Sequence, residues 1–177
     1  MNSFSDTLIR FFAIAAAVIG LAAHYAWGDV MSNRDGRFSI DFPAAAEEST
    51  QTVTTKAGTA TVHIFRAQGP DRATYTALYS DYPPGSIGRS PADAIYDGAI
   101  NGAVGQSGGT LRSTQKLDAN GVPGREAIYQ SPPQSEAVRV RYFLVGDRLY
   151  QVAYDGSSGS ESGKAASAFL DSFKILR

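Results

Sequence analysis

Residues 136–155 read Glu136-Ala-Val-Arg-Val-Arg-Tyr-Phe-Leu-Val145-Gly-Asp-Arg-Leu-Tyr150-Gln-Val-Ala-Tyr-Asp155. Between 138 and 144 the side chains alternate. Val138, Val140, Tyr142 and Leu144 fall on one face, and Arg139 and Arg141 fall on the other. A period of two marks a strand, whose successive Cβ atoms point to opposite sides of a sheet. Gly146-Asp147 supplies turn chemistry, and a second apolar run starts directly after it. The stretch therefore predicts two strands, 136–145 and 148–155, folded back on each other. Upstream the pattern repeats as 110–118 and 123–130, joined at Asn120-Gly121, with Pro132-Pro133 breaking the chain before the next strand. Together these four segments predict a β-meander.

Further toward the N-terminus the strand signal continues. Phe38, Ile40 and Phe42 share one face of a run stopped by Pro43. Residues 50–56 and 59–67 read as a hairpin around Ala57-Gly58, with Val62 and Ile64 facing the same way. Residues 73–82 form another strand, halted at Pro83-Pro84. The period then changes. Ser90-Pro91-Ala92-Asp93 carries the marks of a helix start, with Ser90 as cap. Ala92, Ile95, Tyr96, Ala99, Ile100 and Ala103 follow at helical spacing as far as about Gly105. Ser158-Gly-Ser-Glu161 predicts a second capping box and a closing helix to about Phe173, with Ala165, Ala166, Phe169, Leu170 and Phe173 inward. Residues 28–36 are polar and glycine-bounded, and read as a linker to a domain over 37–177. Runs of strands with segregated helices predict an α+β fold on a central antiparallel β-sheet of about six to eight strands, flanked by two main helices.

Five segments in this order resemble the PsbP-like fold superfamily: Phe38-Ser-Ile-Asp-Phe-Pro43, Tyr79-Ser-Asp-Tyr-Pro83, Gly121-Val-Pro-Gly-Arg-Glu126, Asp147-Arg-Leu-Tyr-Gln-Val152 and Phe169-Leu-Asp-Ser-Phe173. The resemblance covers roughly residues 36–177, and is strongest to small bacterial exported proteins of unassigned role. It implies an α/β/α sandwich. It also implies a protein that binds or assembles, as do the extrinsic photosystem II subunit, a nuclear import factor for a small GTPase, and envelope lipoproteins of that superfamily. None of their functional residues has a counterpart motif here, and a fold does not select a function.

Composition narrows the rest. The 177 residues include 43% hydrophobic and 19% charged side chains, which suits one globular domain rather than a disordered chain. A formal net charge of −1 and no basic run argue against nucleic acid as a partner. The absence of cysteine excludes disulfides, thiolate chemistry and a lipid-modified N-terminal cysteine. Residues 11–23 form an uninterrupted apolar run after Arg10, followed by His24, Tyr25 and Trp27. Residues 1–27 thus read as a signal peptide or a transmembrane anchor helix. Arg10 places the domain outside the cytoplasm, either held at the inner membrane or released to the periplasm.

Residues able to carry chemistry are few. The histidines are His24 and His63 only, so no zinc site is expected. His63 alternates with Val62 and Ile64 and should face solvent. Gly159-Ser-Glu-Ser-Gly163 lacks the central serine of a hydrolase elbow. Asp93 and Asp97 share a helix face, where they complement the helix dipole. Gly102-Ala-Val-Gly-Gln-Ser-Gly-Gly109 closes a helix, whereas a phosphate loop opens one. No catalytic, cofactor or metal residue is therefore predicted. The candidate partner surface consists of Tyr79, Asp81, Tyr82, Pro83, Pro84, Arg139 and Arg141, since tyrosine and arginine are good contact residues. A binding or assembly module touching the membrane and an unidentified protein or small molecule is the leading expectation. A small-ligand receptor lined by tyrosines, or a hydrolase with an unrecognised site, are the alternatives.

Overall fold

The computed structural model describes residues 30–55, 57–132 and 135–176. The signal or anchor reading of 1–27 lies outside the described residues. The elements are β1 (Val30–Asn33), β2 (Phe38–Asp41), β3 (Glu47–Thr55), β4 (Gly58–Gln68), β5 (Thr74–Asp81), α1 (Ala92–Ser107), β6 (Thr110–Ala119), β7 (Val122–Ser131), β8 (Glu136–Val145), β9 (Arg148–Ser157), α2 (Lys164–Ser172) and β10 (Lys174–Ile175). Seven strands form one antiparallel sheet in the order β3-β4-β5-β9-β8-β7-β6, and β1-β2-β10 form a small second sheet. The meander β6 to β9 follows the sequence reading. Its last strand docks on β5, with Tyr75 opposite Tyr154 and Asp81 opposite Arg148.

The central strands of the large sheet are buried on both faces, as in a sandwich. The small sheet and α2 cover one face over Phe38, Phe65, Tyr79, Phe143, Tyr150 and Phe173. These rings meet edge-on or stacked, Phe143 and Phe173 at 5.6 Å and Phe38 and Phe65 at 5.5 Å. The other face carries Tyr129, Val138, Val140 and Tyr142 against Ile95, Tyr96 and Ile100 of α1.

Several local expectations change. The segment read as a linker contains β1, whose four residues pair with β2. Its polar composition reflects an edge strand and its turn, features that mimic a linker. The cap of α1 is Pro91, at φ −55 and ψ 126, with no side-chain cap bond; Ser90 is instead spent in a turn, its N–H bonded to Ile87 O. The helix runs on to Ser107 and stops at Gly108, which adopts the left-handed conformation at φ 62. Glu161 does reach back, but to Gly159 N at 2.6 Å across a short 3-10 turn, so α2 starts only at Lys164 and Ala165 is exposed. β10 has two residues, too few to show any period in the sequence.

Candidate functional site

β5 ends and β9 begins on paired residues, so Asp81 and Arg148 face each other across the ladder. The guanidinium forks the carboxylate, Nε to Oδ1 at 2.5 Å and Nη2 to Oδ2 at 2.8 Å. Its Cζ lies 4.4 Å above the Tyr79 ring, and Nη1 donates to Asp35 O at 2.6 Å. Tyr79 is thereby the platform under an arginine. Burial pushes its phenol up to about 12, the neighbouring Arg148 charge notwithstanding. Tyr150 donates to Gly36 O at 2.8 Å, which locks the turn between β1 and β2 over the same spot. A side chain at Gly36 would meet Tyr79 Cε1 at 2.6 Å, so the turn can pass there only as glycine.

The next residue in each direction builds a rim. Asp147 accepts from the amides of Gly85, Ile87 and Gly88 at 2.6, 3.0 and 2.7 Å, fixing the loop after β5. Bonds from Gly88, Gly85 and Ile87 hold its carboxyl below the usual carboxylate range. Arg37 stands in the first turn at φ 49, and Asn120 in the turn between β6 and β7 at φ 55. Only three described residues other than glycine have positive φ, and these are two of them. The left-handed region is costly for a residue such as arginine, and such strain collects at binding and switch sites.

These turns enclose a pocket of about 580 Å³ at one end of the sheet. Asp81, Arg148 and Tyr150 make its floor, and Val122, Val145 and Leu176 its apolar wall. Val145 and Leu176 are 41% and 37% exposed, although both are large aliphatic residues. Arg148 is neutralised by Asp81. The guanidinium of Arg37 is exposed and meets no carboxylate among the described residues.

The structure divides the surface predicted from sequence. Asp81 and Tyr82 line the pocket, Tyr79 lies buried beneath it, and Pro83 and exposed Pro84 lead into the loop beside it. Arg139 and Arg141 are elsewhere, further along β8 and under α2. Both face Glu126, at 2.9 and 2.7 Å from Oε2. Arg141 also pairs with Asp171 at 2.7 Å, and Arg139 donates to Ser167 Oγ at 3.1 Å. The anion that these arginines meet is the protein's own, and their job is to fasten α2. Arg37, Asn120, Val145 and Arg148 were not singled out by the sequence. Their signal was present only as turn residues, Asn120-Gly121 and Gly146-Asp147, because the docking of the β1–β2 turn on Arg148 and Tyr150 is a long-range contact.

His63 is half-buried, with its ring stacked on Tyr79 at 4.5 Å and Nδ1 3.1 Å from Thr50 Oγ1. Asp93 and Asp97 are exposed and both bind Arg125, at 2.6 and 3.1 Å.

Among solved structures, the chain is similar to cyanobacterial PsbP from Synechocystis in solution. The TM-score is 0.56 and the identity 11%, over 87% of this chain and 95% of that one. It is also similar to a Pseudomonas aeruginosa protein of unknown function (TM-score 0.45, 15% identity, 78% of this chain and 89% of that one) and to a Bacteroides thetaiotaomicron protein (0.42, 11%, 85% and 49%). The fold is PsbP-like. No protein-family model and no curated protein matches the sequence.

Proposed function

We propose that the domain is a binding module that engages a partner through the pocket at the end of its sheet, transforms nothing, and works outside the cytoplasm with its N-terminal segment as membrane tether. One observation carries the reading. The β1–β2 turn, the end of β8 and the segment after β10 bring to one rim a left-handed Arg37, which meets no carboxylate among the described residues, and the exposed Val145 and Leu176. An exposed cation beside exposed aliphatic groups suits a protein segment that offers an acidic and an apolar side chain. The titratable groups around it are already committed, which favours contact over catalysis. Asp81 is forked by Arg148, Asp147 is held by three amides, and burial pushes Tyr82 up to about 12. A general acid or base needs a pKa near the working pH.

A photoreactive residue at Val145 of the full chain, in native membranes, tests this. The expected result is a discrete adduct absent when the same residue replaces Thr52, on the far edge strand. Arg37→Gly should abolish the adduct without loss of stability, because glycine relieves the left-handed backbone while removing the guanidinium. Adducts that are identical from Val145 and Thr52, or that survive Arg37→Gly, would sink the proposal. A low-molecular-mass adduct from Val145 would point to a small amphipathic anion as occupant instead.

A further inference from the structure

We infer that the pocket is carried on the membrane-distal end of the domain, so that its partner is one met in the aqueous compartment rather than a lipid or a membrane-embedded helix. This rests on the tethered-module reading above and adds the direction in which the site faces.

β1 is antiparallel to β2, with Val30 opposite Asp41 and Asn33 opposite Phe38. Val30, the first described residue, therefore lies beside Asp41, whereas Arg37 and the pocket lie at the other end of the same hairpin. The large sheet agrees. Tyr75 of β5 lines a shallow recess with Asp41, Phe42, Pro43, Ala165 and Ala168, and Asp81 of the same strand lines the pocket. Six residues of strand separate Tyr75 from Asp81, which is about 20 Å. The recess end carries exposed apolar groups of its own: Ala165 and Ala168 beside Phe42 and Pro43, and Val30, which is 63% exposed.

The tether is short. Only residues 24–29 lie between the apolar run 11–23 and β1. Six residues span at most about 20 Å when fully drawn out. With the run in the bilayer, the Val30 end sits at the membrane surface under any ordinary tether conformation. Turning the pocket toward the lipid would require all six residues at full extension alongside the domain, with the loss of their conformational freedom.

The chain has no cysteine, so single-cysteine variants of the full-length protein give unambiguous labels. Ala165→Cys and Val145→Cys, each carrying a donor dye, would be reconstituted in phosphatidylcholine–phosphatidylglycerol vesicles with an acceptor-labelled lipid. Energy transfer to the bilayer should be much stronger from position 165 than from position 145, equivalent to a height difference of about 20 Å. A twenty-residue Gly/Ser insertion between Asp29 and Val30 should erase the difference. Equal or reversed transfer overturns the inference, as does full-length protein that fails to float with the vesicles. A difference that survives the insertion also overturns it, since the tether would then not set the orientation. The Val145 adduct is scored separately, so a wrong orientation and a wrong binding site give different results.

Discussion

Asp155 and Glu126 are two acids that one sheet treats in opposite ways. Asp155 faces the α1 side of β9, opposite Thr74 and Val138. Burial pushes its carboxyl up to about 6, Glu136 adds to the effect, and Arg66 only partly offsets it. Its folded pKa lies above the ordinary 3.8, so the ionised form opposes folding. That cost is absent below pH 3.8, grows as the pH rises toward 6, and is constant above it. Asp155→Asn should therefore stabilise the domain by about 2 kcal/mol at pH 7.5, with the gain shrinking to nothing near pH 4. Urea denaturation at the two pH values decides this, and a loss of stability at pH 7.5 would contradict it. Glu126 is the reverse case. Burial pushes its carboxyl up, but the guanidiniums of Arg141 and Arg139 outweigh that and leave it below the usual 4.5. Its charge stabilises the fold above pH 4.5, and the contribution is lost as the pH falls through the lower, folded value. Glu126→Gln should cost about 3 kcal/mol at pH 7, because two half-buried arginines lose their shared anion. The deficit against the parent protein should narrow below pH 4.5 in the same denaturation series; a deficit that is flat with pH would show that packing, not charge, is responsible.

At the scale of elements, β7 and β8 show how one missing side chain sets a packing distance. Gly124 lies opposite Phe143 in the ladder, and a Cβ there would come within 2.5 Å of the Phe143 ring and 2.6 Å of Tyr142 O. The ring lies across β7 because nothing stands in its way, and it stacks on Phe173 just past the end of α2. Gly124→Ala should destabilise by about 2–3 kcal/mol through overpacking. Phe143→Leu in the same chain should recover part of that loss, and a double-mutant cycle by thermal melting measures the coupling. Additive losses would mean that the backbone, rather than the ring, resists the methyl. This element also marks what the sequence could reveal. Alternation exposed β8 at once, since Val138, Val140 and Tyr142 meet α1 while Arg139 and Arg141 turn to α2. Helical spacing exposed α1 in the same way. Ser90 misled because a serine before proline satisfies the capping pattern whether or not the chain uses it, and here Pro91 carries the cap. β1 stayed hidden because Val30-Met-Ser-Asn33 shows no alternation, and β10 because two residues give periodicity nothing to act on. The pocket stayed hidden for another reason. Its rim comes from turns that are ordinary one by one, and the β1–β2 turn joins the two meander turns only through long-range bonds, Arg148 to Asp35 O and Tyr150 to Gly36 O.

At the scale of the whole molecule, the described residues form two sheets of unequal strength joined along one aromatic layer, and the pocket sits where their ends meet. Val145, Arg148 and Val122 come from the seven-stranded sheet, while Arg37, Ile175 and Leu176 come from the small one. The small sheet is held by four, four and two residues per strand, and its last link is Leu176 N to Arg37 O at 2.8 Å. A ladder of so few residues opens locally at far lower free energy than a central strand. The Leu176 amide should accordingly exchange with solvent at least a hundredfold faster than the Val140 amide, which lies mid-sheet and exchanges only when the domain unfolds. A partner that fills the pocket must touch both walls, and so must suppress that local opening. Hydrogen exchange on the complex captured through Val145 should then show Leu176 slowed by tenfold or more, with the exposed edge strand β3 unchanged. If Leu176 in the free protein is already as protected as Val140, the two sheets form one cooperative body, and binding there cannot work by closing a loose wall. If Leu176 is open and stays open in the complex, the partner grips the large sheet alone and Arg37 has no part in it.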